Sequence, residues 1–200
     1  MKTLPEKLIY SRLIIGISIL VLSITHFSGF KMIAASLFII GILTDIFDGI
    51  IARKFNTSSQ NLRRLDSSID QVFFILVAAA LLIRTPRFFD QNKVEIIILV
   101  GIECVAYLVC FIKFKKEIAT HSIASKIWTL LLSATIIELF MTSDSSTLFQ
   151  VCFYLGVLTR LEIIAIIFVL KKWNTDVPGL YQAILLRKGK PIKRHKLFNG

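Results

Sequence analysis

The sequence has few residues of the kind that bind soft metals. It contains three Cys and three His among its 200 residues. Cys104, Cys110 and Cys152 all lie in apolar runs, without C-x-x-C spacing and with no His nearby, which is typical of inert core thiols. The three histidines are separated in sequence, and we assign no catalytic role to any of them. These observations make a zinc site an unfavourable interpretation.

Acidic residues are also scarce. The chain has 13 Asp and Glu against 24 Lys and Arg, which gives a formal net charge of +11. The basic residues lie between and after apolar runs, an arrangement that suits anionic lipid surfaces and the positive-inside rule better than a nucleic acid. We therefore expect membrane lipids as partners and no nucleic acid.

Apolar residues, by contrast, are abundant. They make up 55% of the sequence, with sixteen Phe and a mean hydropathy of +0.73, which is more than a soluble domain normally carries. Six runs approach the length of about twenty residues that a bilayer requires. We predict an all-α integral membrane protein, a single domain over 1–200 that forms a six-helix bundle, with spans near 8–27, 30–52, 69–83, 94–114, 122–141 and 148–170. The first run is long enough to span, so no cleaved signal peptide is expected.

The loop charges predict the orientation. Lys and Arg are concentrated before the first span, after the second, after the fourth, and in the basic tail 171–200. The opposite loops contain fewer basic residues. Lys31 lies between the first and second spans, and Arg84, Arg87 and Lys93 lie between the third and fourth, where they weaken the difference in charge between the two faces. We predict that both termini are cytoplasmic and that the membrane is the bacterial cytoplasmic membrane. The tail either lies on the anionic leaflet or is simply solvated.

An acidic stretch at the cytoplasmic edge of the second and third spans stands out. Asp45 and Asp48 are three residues apart, and Asp66 and Asp70 are four apart, so each pair shares one face of a helix. An unpaired carboxylate at bilayer depth costs on the order of 3 kcal/mol. Arg53 alone cannot neutralise all four, so further positive charge is expected among them.

Divalent cations would supply that charge. A ligand set of carboxylate oxygens favours Mg²⁺, Mn²⁺ or Ca²⁺ over zinc, and four carboxylates are enough for two ions. Gly49 leaves room for a phosphate or nucleotide to approach the backbone. The alternative is a set of ordinary ion pairs at a corner between two helices.

The spacing of these residues indicates a particular protein family, which an acidic cluster alone would not do. The stretch reads D-x2-D-G-x2-A-R-x8-L-x3-D-x3-D and resembles the signature of the CDP-alcohol phosphatidyltransferase family, whose fold has six membrane spans. Leu62 stands where many relatives have Gly, and it would narrow the nucleotide pocket, shift the cytidine, or mark a subgroup or an inactive relative. The matching positions are Asp45, Asp48, Gly49, Ala52, Arg53, Asp66 and Asp70.

The resemblance implies a site and a reaction. The four aspartates would hold two Mg²⁺ or Mn²⁺ ions, and Asp70 would also be the general base. Gly49, Ala52, Arg53 and Ser59 would bind the CDP-linked lipid. An alcohol oxygen would attack the β-phosphorus of CDP-diacylglycerol, and CMP would leave. Many relatives pair as homodimers.

Other basic residues suggest roles at the same site. Pro5 and Arg12 are spaced as in the family's entry to its first span, so Arg12 either approaches the donor phosphate or extends to the interface. Lys126 and Arg160 are candidates for binding a phosphate on the acceptor, such as glycerol 3-phosphate or inositol phosphate. Arg160 would otherwise pair with an acid in a neighbouring span: Glu162, Glu138 or Glu103.

The sequence leaves other functions open. They are a cation-binding transporter, a catalytically inactive relative, an enzyme with a phosphatidylserine synthase-like acceptor, and an intramembrane prenyltransferase. A transporter predicts acids at mid-span, whereas the main cluster lies at a span edge next to Arg53 and Gly49. A prenyltransferase needs two Asp-rich motifs, and this chain offers one.

Overall fold

The computed structural model describes residues 4–54, 60–118, 120 and 122–192, and in these ranges the chain is helical with no strand. Six helices have a stretch that is long and apolar enough to cross a membrane, namely α1, α2, α3, α5, α6 and α7. The predicted all-α membrane class and six spans are thus confirmed. The helices are α1 (Leu4–Ile24), α2 (Phe30–Lys54), α3 (Gln60–Arg84), α4 (Pro86–Gln91), α5 (Lys93–Phe114), α6 (Ile123–Thr142), α7 (Thr147–Val169) and α8 (Leu180–Arg187).

Each spanning helix exposes large apolar side chains. An aqueous surface would disfavour so many of them, whereas lipid accommodates them. Examples, one from each spanning helix, are Ile14, Met32, Ile75, Ile112, Leu130 and Leu158.

The chain divides into two compact units, and the first comprises residues 1–90 and 137–144. Here α1 packs against both α2 and α3. The rings of Phe38 and Phe73 are stacked with centroids 5.8 Å apart, and Ser23 donates a hydrogen bond to the carbonyl of Ala80 at 2.8 Å. These contacts fix α1 and α2 against α3, the helix that carries two of the aspartates.

The second unit comprises residues 91–136 and 145–200. In this unit α7 packs against α5 and α8. Lys113 on α5 donates hydrogen bonds to the carbonyls of Ile167 and Phe168, both at 2.9 Å, and so satisfies acceptors in the last turn of α7. Cys110 and Cys152 are buried as predicted, but Cys104 is exposed. The prediction of a core thiol is therefore wrong for Cys104, which lies on an outward face of α5.

Gly41 permits the close approach of α2 and α3. A Cβ at Gly41 would lie 2.6 Å from Cζ of Phe73, and Phe73 is fully buried and stacked on Phe38. Because that ring has little room to move, we expect Gly41→Ala to lower the free energy of unfolding by about 1–3 kcal/mol. Thermal unfolding in detergent would measure the change.

Gly101→Ala on α5 is the matched control for this substitution. A Cβ at Gly101 would meet no described atom within 4 Å. It should leave the melting temperature unchanged or raise it, because Ala favours a helix over Gly by about 1 kcal/mol. Equal losses in the two variants would contradict the packing role of Gly41.

Candidate active site

Five charged side chains meet in the first unit, near the end of α2 and the start of α3. Asp45 and Asp48 lie one turn apart on α2, and Asp66 and Asp70 lie one turn apart on α3. Arg12 comes from α1. Since α1 packs against both other helices, all five side chains reach the same place.

The guanidinium of Arg12 contacts all four carboxylates. Its Nη1 donates to Asp45 Oδ1 at 2.7 Å and also to Asp70. Its Nη2 donates to Asp48 Oδ2 at 2.6 Å and also to Asp66. Arg12 is fully buried, and among the described residues its Nε has no hydrogen-bond partner. The four carboxylates therefore surround the buried guanidinium of Arg12, which lies at the centre of the cluster.

The enclosure of the cluster is uneven. The side chain of Arg12 is 1% exposed and that of Asp48 is 4% exposed. By contrast, 43% of the Asp45 side chain is exposed, as are 34% of Asp66 and 31% of Asp70. Arg12 and Asp48 therefore form the closed side of the site, and the other three aspartates form its open side.

The donor set fits a hard divalent cation. Carboxylate oxygens of Asp45, Asp48 and Asp66 lie within 4.8 Å of one another, and Mg²⁺, Mn²⁺ and Ca²⁺ prefer such oxygen ligands. Arg12 balances one of the four negative charges, whereas each divalent ion would balance two. Asp70 lies outside this group of three and contacts the same Nη1 atom as Asp45.

The family comparison decides what kind of protein carries this cluster. The family model described as CDP-alcohol phosphatidyltransferase matches residues 2–177. The chain belongs to the CDP-alcohol phosphatidyltransferase family. The match covers the acidic stretch and all six spans. The comparisons with curated proteins and with solved structures give no match.

Membership in the CDP-alcohol phosphatidyltransferase family confirms the resemblance seen in the motif. It identifies the chain as an integral membrane transferase of phospholipid biosynthesis, with CDP-alcohol substrates. The family uses divalent cations, in agreement with the oxygen ligands of the aspartate cluster.

Two other positions of the motif, Gly49 and Leu62, lie next to the aspartates along their helices. Gly49 follows Asp48 on α2 and is half-buried, and Leu62 lies one turn before Asp66 on α3 and is also half-buried. Ala52 and Arg53 continue α2, but their side chains lie outside the described part of the structure, as does the whole of Ser59.

The two candidate acceptor-binding residues belong to the second unit. Arg160 on α7 forms an ion pair with Glu103 on α5, and its guanidinium lies 4.5 Å from the ring centroid of Trp128. Of the three acids considered as partners, the structure thus selects Glu103. Lys126 lies in the first turn of α6, where its backbone N–H donates to the carbonyl of Ser122 at 3.3 Å.

Sequence reasoning missed the central position of Arg12. It assigned this side chain to a donor phosphate or to the membrane interface, and it named Arg53 as the candidate partner of the acids. The available signal was the position of Arg12 inside the first apolar run, where a buried positive charge requires a negative partner. The four aspartates are the largest group of acidic residues that could supply it.

Proposed function

We propose that this protein transfers a phosphatidyl group from CDP-diacylglycerol to a small phosphorylated alcohol, such as glycerol 3-phosphate or inositol phosphate, with release of CMP. The supporting observation is the convergence of Asp45, Asp48, Asp66 and Asp70 from two helices. These four aspartates are the acidic residues of the stretch that resembles the family motif. Together they favour phosphoryl-transfer chemistry over cation transport.

In this proposal the aspartates hold two Mg²⁺ or Mn²⁺ ions. Asp45, Asp48 and Asp66 provide the group of converging oxygens, and Asp70 is the fourth ligand. When bound, such ions neutralise the negative charge of the diphosphate and of the departing CMP. Gly49, Ala52, Arg53 and Ser59 are assigned to the CDP moiety.

Asp70 is also proposed as the general base. Its carboxylate would accept the proton of the acceptor hydroxyl. The hydroxyl oxygen then forms a bond to the β-phosphorus, and the bond from that phosphorus to the bridging oxygen breaks, so that CMP leaves with that oxygen. The partial exposure of Asp70 supports the role, because an acceptor has to reach it.

Arg12 is proposed to bind the donor as well as to organise the acids. The guanidinium N–H groups suit diphosphate oxygens as well as carboxylates. Arg12 lies on the closed side with its Nη atoms on the carboxylates, so it would contact the diphosphate where bound cations take over those carboxylates.

We place the site at the cytoplasmic face and both termini in the cytoplasm, because the basic loops and tail lie at that end of the spans. We further propose that the chain forms a single membrane domain with a basic tail over 171–200. It would form a homodimer in a bacterial cytoplasmic membrane. The donor lipid would reach the site laterally from the inner leaflet.

The direct test uses the purified full-length protein with CDP-diacylglycerol and Mg²⁺ or Mn²⁺, and follows CMP release. Glycerol 3-phosphate, inositol phosphate, serine and an acceptor-free reaction would be compared. We expect the fastest release with a phosphorylated acceptor. An absence of CMP with every acceptor, together with unchanged Mn²⁺ binding in Asp66→Asn, would rule out the enzyme assignment.

The acceptor assignment predicts a selective change in KM. Arg160→Gln and Lys126→Gln should each raise KM for the phosphorylated acceptor by about tenfold to a hundredfold, the effect of losing one charge-assisted hydrogen bond. KM for CDP-diacylglycerol should stay within about twofold of wild type. Steady-state CMP release at varied acceptor concentration would measure both constants.

Glu103→Gln is the matched control, because it removes the same ion pair from the other side. It should change KM for the acceptor far less than Arg160→Gln does. If the two variants raise KM equally, Arg160 acts through the ion pair and not through the acceptor phosphate.

A further inference from the structure

A cavity of about 180 Å³ lies in the first unit, at the end opposite to the aspartates. Three basic side chains line it: His26 just after α1, Lys31 in the first turn of α2, and Arg84 at the end of α3. Along α2, Lys31 and Asp48 are separated by about 25 Å at 1.5 Å per residue. This distance approaches the thickness of the hydrocarbon core, so the cavity lies near the other face of the membrane.

The basic groups in this cavity have neutral partners. Lys31 Nζ donates to the carbonyl of Met141 at 3.2 Å. Arg84 Nη1 donates to Nδ1 of His26 at 3.1 Å, and the Arg84 guanidinium lies 4.5 Å from the ring centroid of Phe30. No Asp or Glu is present among the described residues that line the cavity. Two formal positive charges therefore face the cavity without an acidic counterpart in its lining.

The same residues are exceptions to the charge pattern of the loops. Lys31 and Arg84 lie on the side that the Lys/Arg distribution assigns to the non-cytoplasmic face, where basic residues are disfavoured. The fold brings both of them, with His26, into one cavity. A bound anion would account for basic residues at these positions.

We propose that this cavity binds the phosphate group of an anionic phospholipid in the leaflet opposite to the aspartate cluster. Phosphate oxygens would accept hydrogen bonds from Lys31 and Arg84. The remainder of the lining is largely apolar and includes Leu81, Ile83 and Phe140. Pockets for drug-sized ligands measure about 300–1,000 Å³, so this cavity takes the headgroup while the acyl chains remain in the bilayer.

Native mass spectrometry of the full-length protein in detergent tests the proposal. Dioctanoyl phosphatidylglycerol, dioctanoyl phosphatidylcholine and inorganic phosphate would be titrated separately. We expect phosphatidylglycerol to bind about tenfold more tightly than phosphatidylcholine. Lys31→Gln and Arg84→Gln should each weaken phosphatidylglycerol binding by about tenfold, the effect of one charge-assisted contact. Inorganic phosphate, which lacks the apolar part of the ligand, should bind more weakly than the lipid.

Arg87→Gln is the control, because Arg87 is exposed, carries the same charge and lies outside the lining. An equal loss of lipid binding in Arg87→Gln would attribute the effect to net charge and overturn the proposal. Inorganic phosphate that binds as tightly as the lipid would overturn the lipid assignment.

Arg84→Gln also loses the contact with Phe30, so Lys31→Gln is the decisive variant. Unchanged lipid binding in folded Lys31→Gln, at an unaltered melting temperature, would overturn the proposal as well.

Discussion

Asp70→Asn is expected to lower the rate of CMP release at saturating substrate by about 10²- to 10⁴-fold, the typical contribution of a general base. The amide cannot accept the proton of the acceptor hydroxyl. Arg12 keeps Asp45, Asp48 and Asp66 as partners, so the variant should remain folded. Single-turnover assays with CDP-diacylglycerol and the preferred acceptor would separate the chemical step from product release.

Two measurements make this prediction specific. Asp90→Asn, an exposed carboxylate on α4, should release CMP at the rate of the wild type. Mn²⁺ binding, followed by electron paramagnetic resonance, should weaken but persist in Asp70→Asn, because one of the four proposed ligands is lost while the converging oxygens of Asp45, Asp48 and Asp66 remain. If Mn²⁺ binding is abolished together with activity, the missing metal accounts for the lost activity, which would contradict a separate role of Asp70 as the base.

Arg12→Met is expected to show the largest change in stability. Without Arg12, four carboxylates face one another, and that of Asp48 is buried. Removing one partner of a buried ion pair costs about 3–5 kcal/mol, so the unfolding free energy in EDTA should fall by about that amount. Divalent cations would compensate the same carboxylates, so Mg²⁺ or Mn²⁺ should restore much of the loss.

Thermal unfolding of the detergent-solubilised protein, with EDTA and with Mn²⁺, would measure both effects. Arg87→Met, at an exposed position of α4, should have the melting temperature of the wild type in both conditions. Equal destabilisation of Arg12→Met with and without Mn²⁺ would show that Arg12 and the cation do not share the same carboxylates.

The spans could be predicted from the sequence because the bilayer fixes their length. Apolar run length alone predicts six spans, and the described part of the chain has six candidate helices. The same criterion underestimates α3, which begins at Gln60, because its first turns are polar and carry no signal of membrane burial. The helix α4 was not predicted, since six residues are too few for a periodic pattern.

The partners of the charged residues could be predicted only in part. Spacing places each pair of aspartates on one helical face, but it does not specify how α1 packs, and that packing carries Arg12 into the cluster. The sequence offered three acids, in three different spans, as partners for Arg160. The packing of α5 against α7 decides in favour of Glu103.

The uneven enclosure of the aspartate cluster gives the site a direction of entry. Asp48 is nearly inaccessible, whereas Asp45, Asp66 and Asp70 are each about a third or more exposed. An incoming cation would therefore meet these three carboxylates before it reaches Asp48. We expect the outer aspartates to set the rate of cation entry, whereas substitution of Asp48 should raise the rate of departure and so weaken equilibrium affinity.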